Sequence, residues 1–177
     1  MKILVINCGS SSIKYQLIQM TGPEVLASGL VERIGEPEGD LVHKVRPGQP
    51  AEQDVELTLP MDSHTDGLSK VVELLTDAEH GVIQAAADIA AVGHRVVHGG
   101  EAFHRSMLVT DEVVADIREN IPLAPLHNPA NLEGIQVARK IFPDAAQVAA
   151  ADTAFHQTMP PEAYMYALPY DLYRNHT

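Results

Sequence analysis

Apolar and polar positions change over in short blocks along the first part of this chain. Ile3–Ile6 is a run of β-favouring apolar residues long enough for a buried strand. Asn7-Cys8-Gly9-Ser10-Ser11-Ser12 breaks the run with small, polar residues, and the strand pattern resumes over Ser12–Gln19. Glu24–Arg33 is a third strand, reached through the turn Thr21-Gly22-Pro23. Leu41–Arg46 and Gln53–Leu59 predict a hairpin joined through Pro47-Gly48-Gln49-Pro50. The period then lengthens. Ser63-His64-Thr65-Asp66 resembles a capping box with Asp in place of Glu, and Leu68, Val71, Val72 and Leu75 follow as a helical stripe. Ile89–Val97 returns to strand. A second helix follows Thr110, with Asp111 and Glu112 in its first turn and Val113, Ile117 and Ile121 on one face. A third begins at Asn128 with Pro129 at the first helical position, and Gln147–Ala151 reads as a buried strand. From Pro160 onward no period is evident. Strands first, then helices alternating with strands, predict an α/β domain with a mixed sheet. No internal repeat, low-complexity tract or linker interrupts it.

Four stretches place chemistry-bearing residues at the ends of these elements, exposed on rigid supports. In the first, Asn7 to Lys14, a buried strand delivers a tight turn of glycine, the Ser10 and Ser12 hydroxyls and backbone N–H groups, followed by one cation. Such a turn can hold a phosphate chain. It is not a Walker A loop, since no G-x-x-x-x-G-K-[ST] is present and strand rather than helix follows Lys14. An ordinary hairpin with a serine-rich turn is the alternative. In the second, Gly93–Glu101, a strand ends in Gly99-Gly100, with Arg95 and His98 on opposite faces. Arg95 offers a planar fork suited to carboxylate or phosphate, against the plainer reading of a surface salt bridge. His94 and His98 share a strand face, but neither an H-E-x-x-H motif nor a cysteine pair completes a metal site. In the third, Pro122–Pro129, prolines stiffen the approach to a helix whose expected cap is Asn128; His127 and the free N–H groups there can face an anion. In the fourth, Asp152-Thr153-Ala154-Phe155-His156, Asp152 directly follows a strand and is either a cap or a catalytic carboxylate. His43, His64, His80, His104 and His176 read as ordinary surface residues.

Composition narrows the chemistry. The 177 residues suffice for one good core, and 45% hydrophobic against 20% charged residues marks a globular rather than a disordered chain. A formal net charge of -12 argues against nucleic-acid or anionic-membrane partners, so phosphate binding must draw on a few concentrated cations. Cys8 is the only cysteine, which excludes an intrachain disulfide and fits a reducing, cytoplasmic setting. No segment approaches the continuous apolar length of a membrane span, and the N-terminal apolar run ends at Asn7, too short for a signal core.

Taken in order, the stretches VINCGSSSIKY, GHRVVHGGE, PLAPLHNPANLEGI and DTAFHQTMP, from Val5 to Pro160, resemble the acetate kinase family. The resemblance implies the acetate/sugar kinase, heat-shock protein and actin superfamily, and an N-terminal ribonuclease-H-like domain. Its five-stranded-type mixed sheet would be flanked by helices, with a small hairpin excursion. Residues 1–150 would form that domain, and 151–177 an active-site aspartate segment leading toward a C-terminal nucleotide domain. The implied reaction is reversible phosphoryl transfer from ATP to acetate, giving ADP and acetyl phosphate on the way to acetyl-CoA, with magnesium or manganese. By the same resemblance Asn7 belongs to the metal site, Lys14, Ser10 and Ser12 to nucleotide phosphates, and Arg95 to substrate. Val97 and Leu126 line the acetyl pocket, His127 lies beside the transferring phosphoryl group, and Asp152 is the active-site acid. Acetate is already ionised at neutral pH, so no proton awaits a base, and Asp152 is expected to orient the site instead. A cytoplasmic homodimer formed through the C-terminal domain is implied, without nucleic-acid or membrane partners.

The chain also departs from that family. Ala149-Ala150-Ala151 stand before Asp152, where bulkier residues are usual, which predicts unfilled volume beside the site. The chain stops at Thr177, before a downstream histidine motif, a second arginine, the adenosine loops and a distal metal-site glutamate. An isolated chain of this length is expected to fold and to be catalytically inactive. Propionate or butyrate kinase is the nearest alternative, a non-catalytic binding module on the same fold the next, and a histidine-based metallohydrolase the weakest.

Overall fold

A computed structural model describes residues 1–176; Thr177, the last residue of the expected 151–177 segment, lies outside the described residues. Five strands come first: β1 (Lys2–Cys8), β2 (Ile13–Gln19), β3 (Glu24–Glu32), β4 (Gly39–Val45) and β5 (Gln53–Leu59). They are followed by α1 (His64–Leu75), β6 (Ile89–Val96), the two-residue β7 (Met107–Leu108), α2 (Asp111–Glu119), α3 (Asn128–Ile141) and β8 (Ala146–Ala151). Two short helices end the chain, α4 (Pro161–Tyr164) and α5 (Tyr170–His176), neither with a buried residue. All strands join one eight-stranded sheet in the order β5-β4-β3-β2-β1-β6-β8-β7. β1, β6 and β8 run parallel and the remaining pairs are antiparallel, so the sheet is mixed, as the order of elements predicts.

Two expectations need correction. The sheet has eight strands rather than five, and the hairpin is no excursion. β4 pairs with β3 without a break from Ala27↔Val45 to Glu32↔Asp40, so β4 and β5 extend the sheet and cover the β3 edge. Ile121 lies outside α2, whose C-cap is Asn120, and belongs instead to a 3-10 turn over Ile121–Leu123.

The period of two in the strands divides the sheet into unlike faces. Leu4, Ile6 and Cys8 of β1, Ile13, Tyr15 and Leu17 of β2, and Val92, His94 and Val96 of β6 are buried. α1 and α3 cover the first part of this face, while Val113, Val114 and Ile117 of α2 join Val96, Ala149 and Ala151 in a second cluster. Both α1 and α2 start at side-chain caps, Ser63 accepting from the Asp66 N–H and Thr110 from the Val113 N–H. α3 lies close on β1 because residue 134 is glycine: a Cβ there would stand 2.3 Å from the Cys8 Sγ. Burial in this contact pushes the Cys8 thiol up to about 12, so it is neutral and unreactive. The opposite face carries Val5, Lys14, Gln16, Arg95 and Ala150, all exposed.

His43 and His64 are buried, not surface residues as expected. Tyr15, Gly29 and His43 form one cross-strand row through β2, β3 and β4. A Cβ at Gly29 would lie 2.5 Å from the Tyr15 ring, so the glycine lets the tyrosine lean over and bond its hydroxyl to His43 Nδ1. Among the described residues His43 Nε2 is buried without a partner, and burial holds the ring's pKa down at about 4.

Gly134→Ala should cost about 1–3 kcal/mol by overpacking, read as a lower urea midpoint with an unchanged slope. His43 yields a pH dependence. Its folded pKa lies below its ordinary value of 6.5, so in the window between them the unfolded chain binds more protons. Its contribution is therefore full above 6.5 and falls as pH drops toward 4. The urea midpoint should decline over that window, and the decline should be shallower in His43→Gln.

Candidate active site

Four of the polar residues singled out in the sequence, Asn7, Lys14, Arg95 and Asp152, meet on the uncovered face, at the carboxyl ends of the parallel strands, where α/β sheets place their ligands. Asn7 on β1 is the cross-strand partner of Lys14 on β2. Ile6 pairs with His94 of β6, which sets Arg95 beside Asn7, and Arg95 pairs with Ala150 of β8, two residues short of Asp152. Arg95 Nε donates to both Asp152 oxygens at 3.1 Å, and its terminal NH2 group donates to Oδ2 at 2.6 Å. Its other terminal nitrogen stands 3.5 Å from Asn7 Oδ1. The carboxylate raises the arginine's already high pKa, chiefly through the hydrogen bond. Both side chains are about half exposed, at 49% and 47%, so the pair adds little to stability and acts mainly to hold two functional groups in one geometry. A groove of about 600 Å³ opens next to this row along the same face, with Val5, Leu30 and Val42 among its apolar residues and Lys14 and Lys44 among its polar ones.

The Cys8–Ser12 turn closes through the Gly9 N–H, which donates to the Ser12 carbonyl at 2.8 Å. Behind it stand two asparagines in the first turn of α3. Asn131 Nδ2 donates to the Cys8 carbonyl at 2.8 Å while its Oδ1 accepts from the Val97 N–H at 3.0 Å. Asn128 accepts from the His98 N–H and donates to the His98 and Ile117 carbonyls. Asn128 is thus not the helix cap it was expected to be. That place falls to His127, without a side-chain cap, because the Asn128 amide is spent on His98, just past β6, and on α2. Thr153 Oγ1 accepts from the Gly99 N–H, tying the segment after Asp152 to the glycine pair. Gly100 takes φ 59, and a Cβ there would meet the Asn120 side chain at 2.5 Å.

Arg95, Asp152, Asn7 and Lys14 form one row, and Ser10 and Ser12 lie in the turn at its end. Val97 is half-buried just past β6, held by Asn131. Leu126 is 79% exposed, and His127 is exposed at the start of α3; among the described residues neither side chain bonds to the row. His94 and His98 do not converge on a metal. His94 is buried on the helix side, bonded to Gln147, with its pKa lowered chiefly by burial, and His98 Nδ1 accepts from the Gly100 N–H. Among the described residues no group of three or more His, Cys, Asp and Glu side chains could hold a metal ion. The alanine run divides between the faces. Ala150 is exposed, while Ala149 and Ala151 are buried in one cluster with Phe103, whose fully buried ring supplies the bulk they lack. Sequence reasoning missed the asparagine pair, His64 and Thr153. The available signal was two amides three residues apart in one helical turn, which face the same way.

Chemically, the row carries few net cations. Arg95 is largely neutralised by Asp152, leaving Lys14 and the backbone N–H groups as the net attraction, while the guanidinium terminal nitrogen on the Asn7 side still offers donors to an oxyanion.

The acetokinase family model matches residues 2–177 of this chain. A protein of Nitratidesulfovibrio vulgaris (strain Miyazaki F) named acetate kinase is 55% identical over 174 residues, 98% of this chain and 43% of that protein. An acetate kinase of Desulfitobacterium hafniense (strain DCB-2) is 52% identical, again with 43% of its length covered. Among solved structures, Porphyromonas gingivalis acetate kinase superposes with a TM-score of 0.89 at 47% identity, over 98% of this chain and 42% of that one. A propionate kinase from Francisella tularensis superposes with a TM-score of 0.86 at 40% identity, over 99% and 43%. The chain therefore spans about 43% of the length of the curated relatives it matches.

Asn131→Ala removes partners from a carbonyl and an N–H that the fold keeps from water. It should cost about 2–4 kcal/mol in urea unfolding, and hydrogen exchange at the Val97 amide should accelerate well beyond that of mid-strand amides in β6.

Proposed function

The chain belongs to the acetokinase family, and we propose that it forms the acid-binding part of an enzyme that transfers the γ-phosphoryl group of ATP reversibly to acetate, yielding acetyl phosphate and ADP. The observation that carries this reading is the row of Asn7, Lys14, Arg95 and Asp152, assembled from adjacent strands on one open face. Phosphoryl transfer demands alignment and cations around the equatorial oxygens, with little covalent help from the protein. In this reading Lys14 and the hydroxyls of Ser10 and Ser12 receive nucleotide phosphates. Arg95 binds the acid and the transferring group, His127 approaches that group from the start of α3, and Val97 and Leu126 face the acid's methyl end. Asp152 is a positioning group: its bonds to Arg95 fix the guanidinium plane, and an ionised acetate leaves it no proton to remove.

Magnesium or manganese fits the donors present in one manner. Mg²⁺ at phosphate sites takes one or two protein oxygens and completes its shell with water and substrate phosphates. Asn7 Oδ1, 3.5 Å from Arg95 and so only weakly engaged, is the oxygen this chain would offer. When bound, the ion would neutralise charge on the phosphate oxygens.

We assign residues 1–150 to an N-terminal ribonuclease-H-like domain and 151–177 to the aspartate segment leading toward a nucleotide domain. The end of β8 at Ala151 and the absence of buried residues from α4 and α5 support this division. Dimerisation would then lie outside this chain, and a cytoplasmic location accords with its single free cysteine. Propionate is the second acid to consider, since Leu126 is 79% exposed and does not close the pocket over a methyl group. One methylene is worth about 1–3 kcal/mol, so selectivity between the two acids should be modest. A binding module on the same fold would have no need of an arginine–aspartate pair beside a serine turn.

The test is acyl phosphate trapping with hydroxylamine, using ATP, magnesium and acetate, propionate or butyrate. A full-length protein carrying this chain should give acetate-dependent hydroxamate, and the 177-residue chain alone none. Asp152→Asn in the full-length protein should lower kcat by about a hundredfold or more, the scale of losing one preorganised electrostatic group. The wild-type rate should stay flat between about pH 5 and 7, above the ordinary carboxylate pKa near 4. Absence of product with every acid would exclude the kinase reading, and a wild-type ionisation lost in Asp152→Asn would make Asp152 a proton-transfer group.

A further inference from the structure

The Cys8–Ser12 turn has an unusual allocation of its carbonyl groups. Cys8 C=O accepts from Asn131, Ser11 C=O from the Ile34 N–H and Ser12 C=O from the Gly9 N–H. The Gly9 C=O accepts from a side chain far away in sequence: His64, the first residue of α1, whose Nε2 stands 2.7 Å from it. His64 is only 4% exposed. Its other ring nitrogen lies 3.2 Å from Glu133 Oε1 of α3, an ion pair when the ring carries its second proton. A carbonyl can only accept, which makes Nε2–H the donor to Gly9.

We propose that His64 is a positioning residue that aims the Ser10 N–H at an anion in front of the turn, an inference that rests on the reading of this turn as a phosphate site. The peptide joining Gly9 to Ser10 is trans, so its C=O and N–H point in opposite directions. With the Gly9 C=O drawn back toward α1, the Ser10 N–H faces away from the helices. Ser10 is exposed, and its N–H has no acceptor within the described chain. The latch matters because residue 9 is glycine. Turning this peptide over changes ψ at Gly9, which glycine leaves unrestricted, and φ at Ser10; the turned-over form would present a carbonyl oxygen where an anion must sit, and the His64 bond adds to its cost. A hydrogen bond from a buried side chain selects the productive orientation in advance, as preorganisation requires. Among the described residues neither Ser10 nor Lys14 hydrogen-bonds to His64, so the effect travels through a single peptide plane.

The experiment is a titration of the full 177-residue chain with inorganic phosphate, followed residue by residue in amide ¹H–¹⁵N spectra. In the wild type the Ser10 amide should shift downfield together with a response at Lys14. In His64→Ala the Lys14 response should persist, the Ser10 shift should vanish and phosphate should bind about three- to tenfold more weakly, the weight of one neutral hydrogen bond. His64→Gln, which keeps an N–H at the same reach, should restore the Ser10 shift. Should His64→Ala fail to fold, the ¹⁵N shifts of the wild-type ring decide, since an Nε2 without a proton overturns the proposal. A wild-type response at Lys14 without one at Ser10, or an alanine variant that titrates as the wild type does, overturns the role of His64 and leaves the phosphate reading intact. Phosphate that moves neither amide removes the phosphate reading and the proposal with it.

Discussion

Two buried amides in the first turn of α3 hold together segments that share no backbone hydrogen bond at the site. Asn131 joins the end of β1 to the residue after β6, and Asn128 joins His98 to the last turn of α2. Parallel strands β1 and β6 stop pairing near His94, just before Asn7 and Arg95. Beyond that point the ladder cannot hold the chain, and a side-chain amide, donor and acceptor at once, takes over. An apolar residue of the same shape would fill the space and leave the Cys8 carbonyl and the Val97 N–H unpaired, a penalty that exceeds the gain from burying it. The positions of Asn7, Val97 and the Cys8–Ser12 turn relative to one another all depend on this pair.

A second constraint is the asymmetry of the sheet. α1, α2 and α3 all lie on one face, so every odd-even choice along β1, β2, β6 and β8 also decides whether a residue enters the core or the site. Cys8 and Asn7 are neighbours in sequence with opposite fates: the first is sealed against Gly134, the second faces Arg95. The same alternation explains the alanines before Asp152. Ala149 and Ala151 need be no larger because Phe103 occupies their side of the sheet, and Ala150 has no core to fill.

The charge distribution suits a site completed by other groups. With Arg95 committed to Asp152, the row offers Lys14 and outward N–H groups to an anion, in a chain of net charge -12. A polyphosphate would meet weak net attraction here unless it arrived with a cation of its own.

Most strand and helix spans were legible in sequence because each carries its own period and its own punctuation, whereas β7, α4 and α5 were not, being too short to show a period. Ser63 and Thr110 caps, the Thr21-Gly22-Pro23 turn and the β-branched run of β1 are local signals, and local signals survive without a fold. The residue types at the site were legible as well: the serine turn, Arg95 beside a glycine pair, and Asp152 after a buried strand. Which of them meet was not. Asp152 reaches Arg95 only because β8 pairs with β6 in a register that sets Ala150 opposite Arg95, and register is a choice among strands distant in the chain. For the same reason Asn128 reads as a cap and His64 as a surface residue, since their partners at His98 and in the Gly9 turn lie far away in sequence. Sequence determined the elements and their chemical inventory. The pairing of distant strands and the burial that follows from it decided the clamps, the ion pair and the open face.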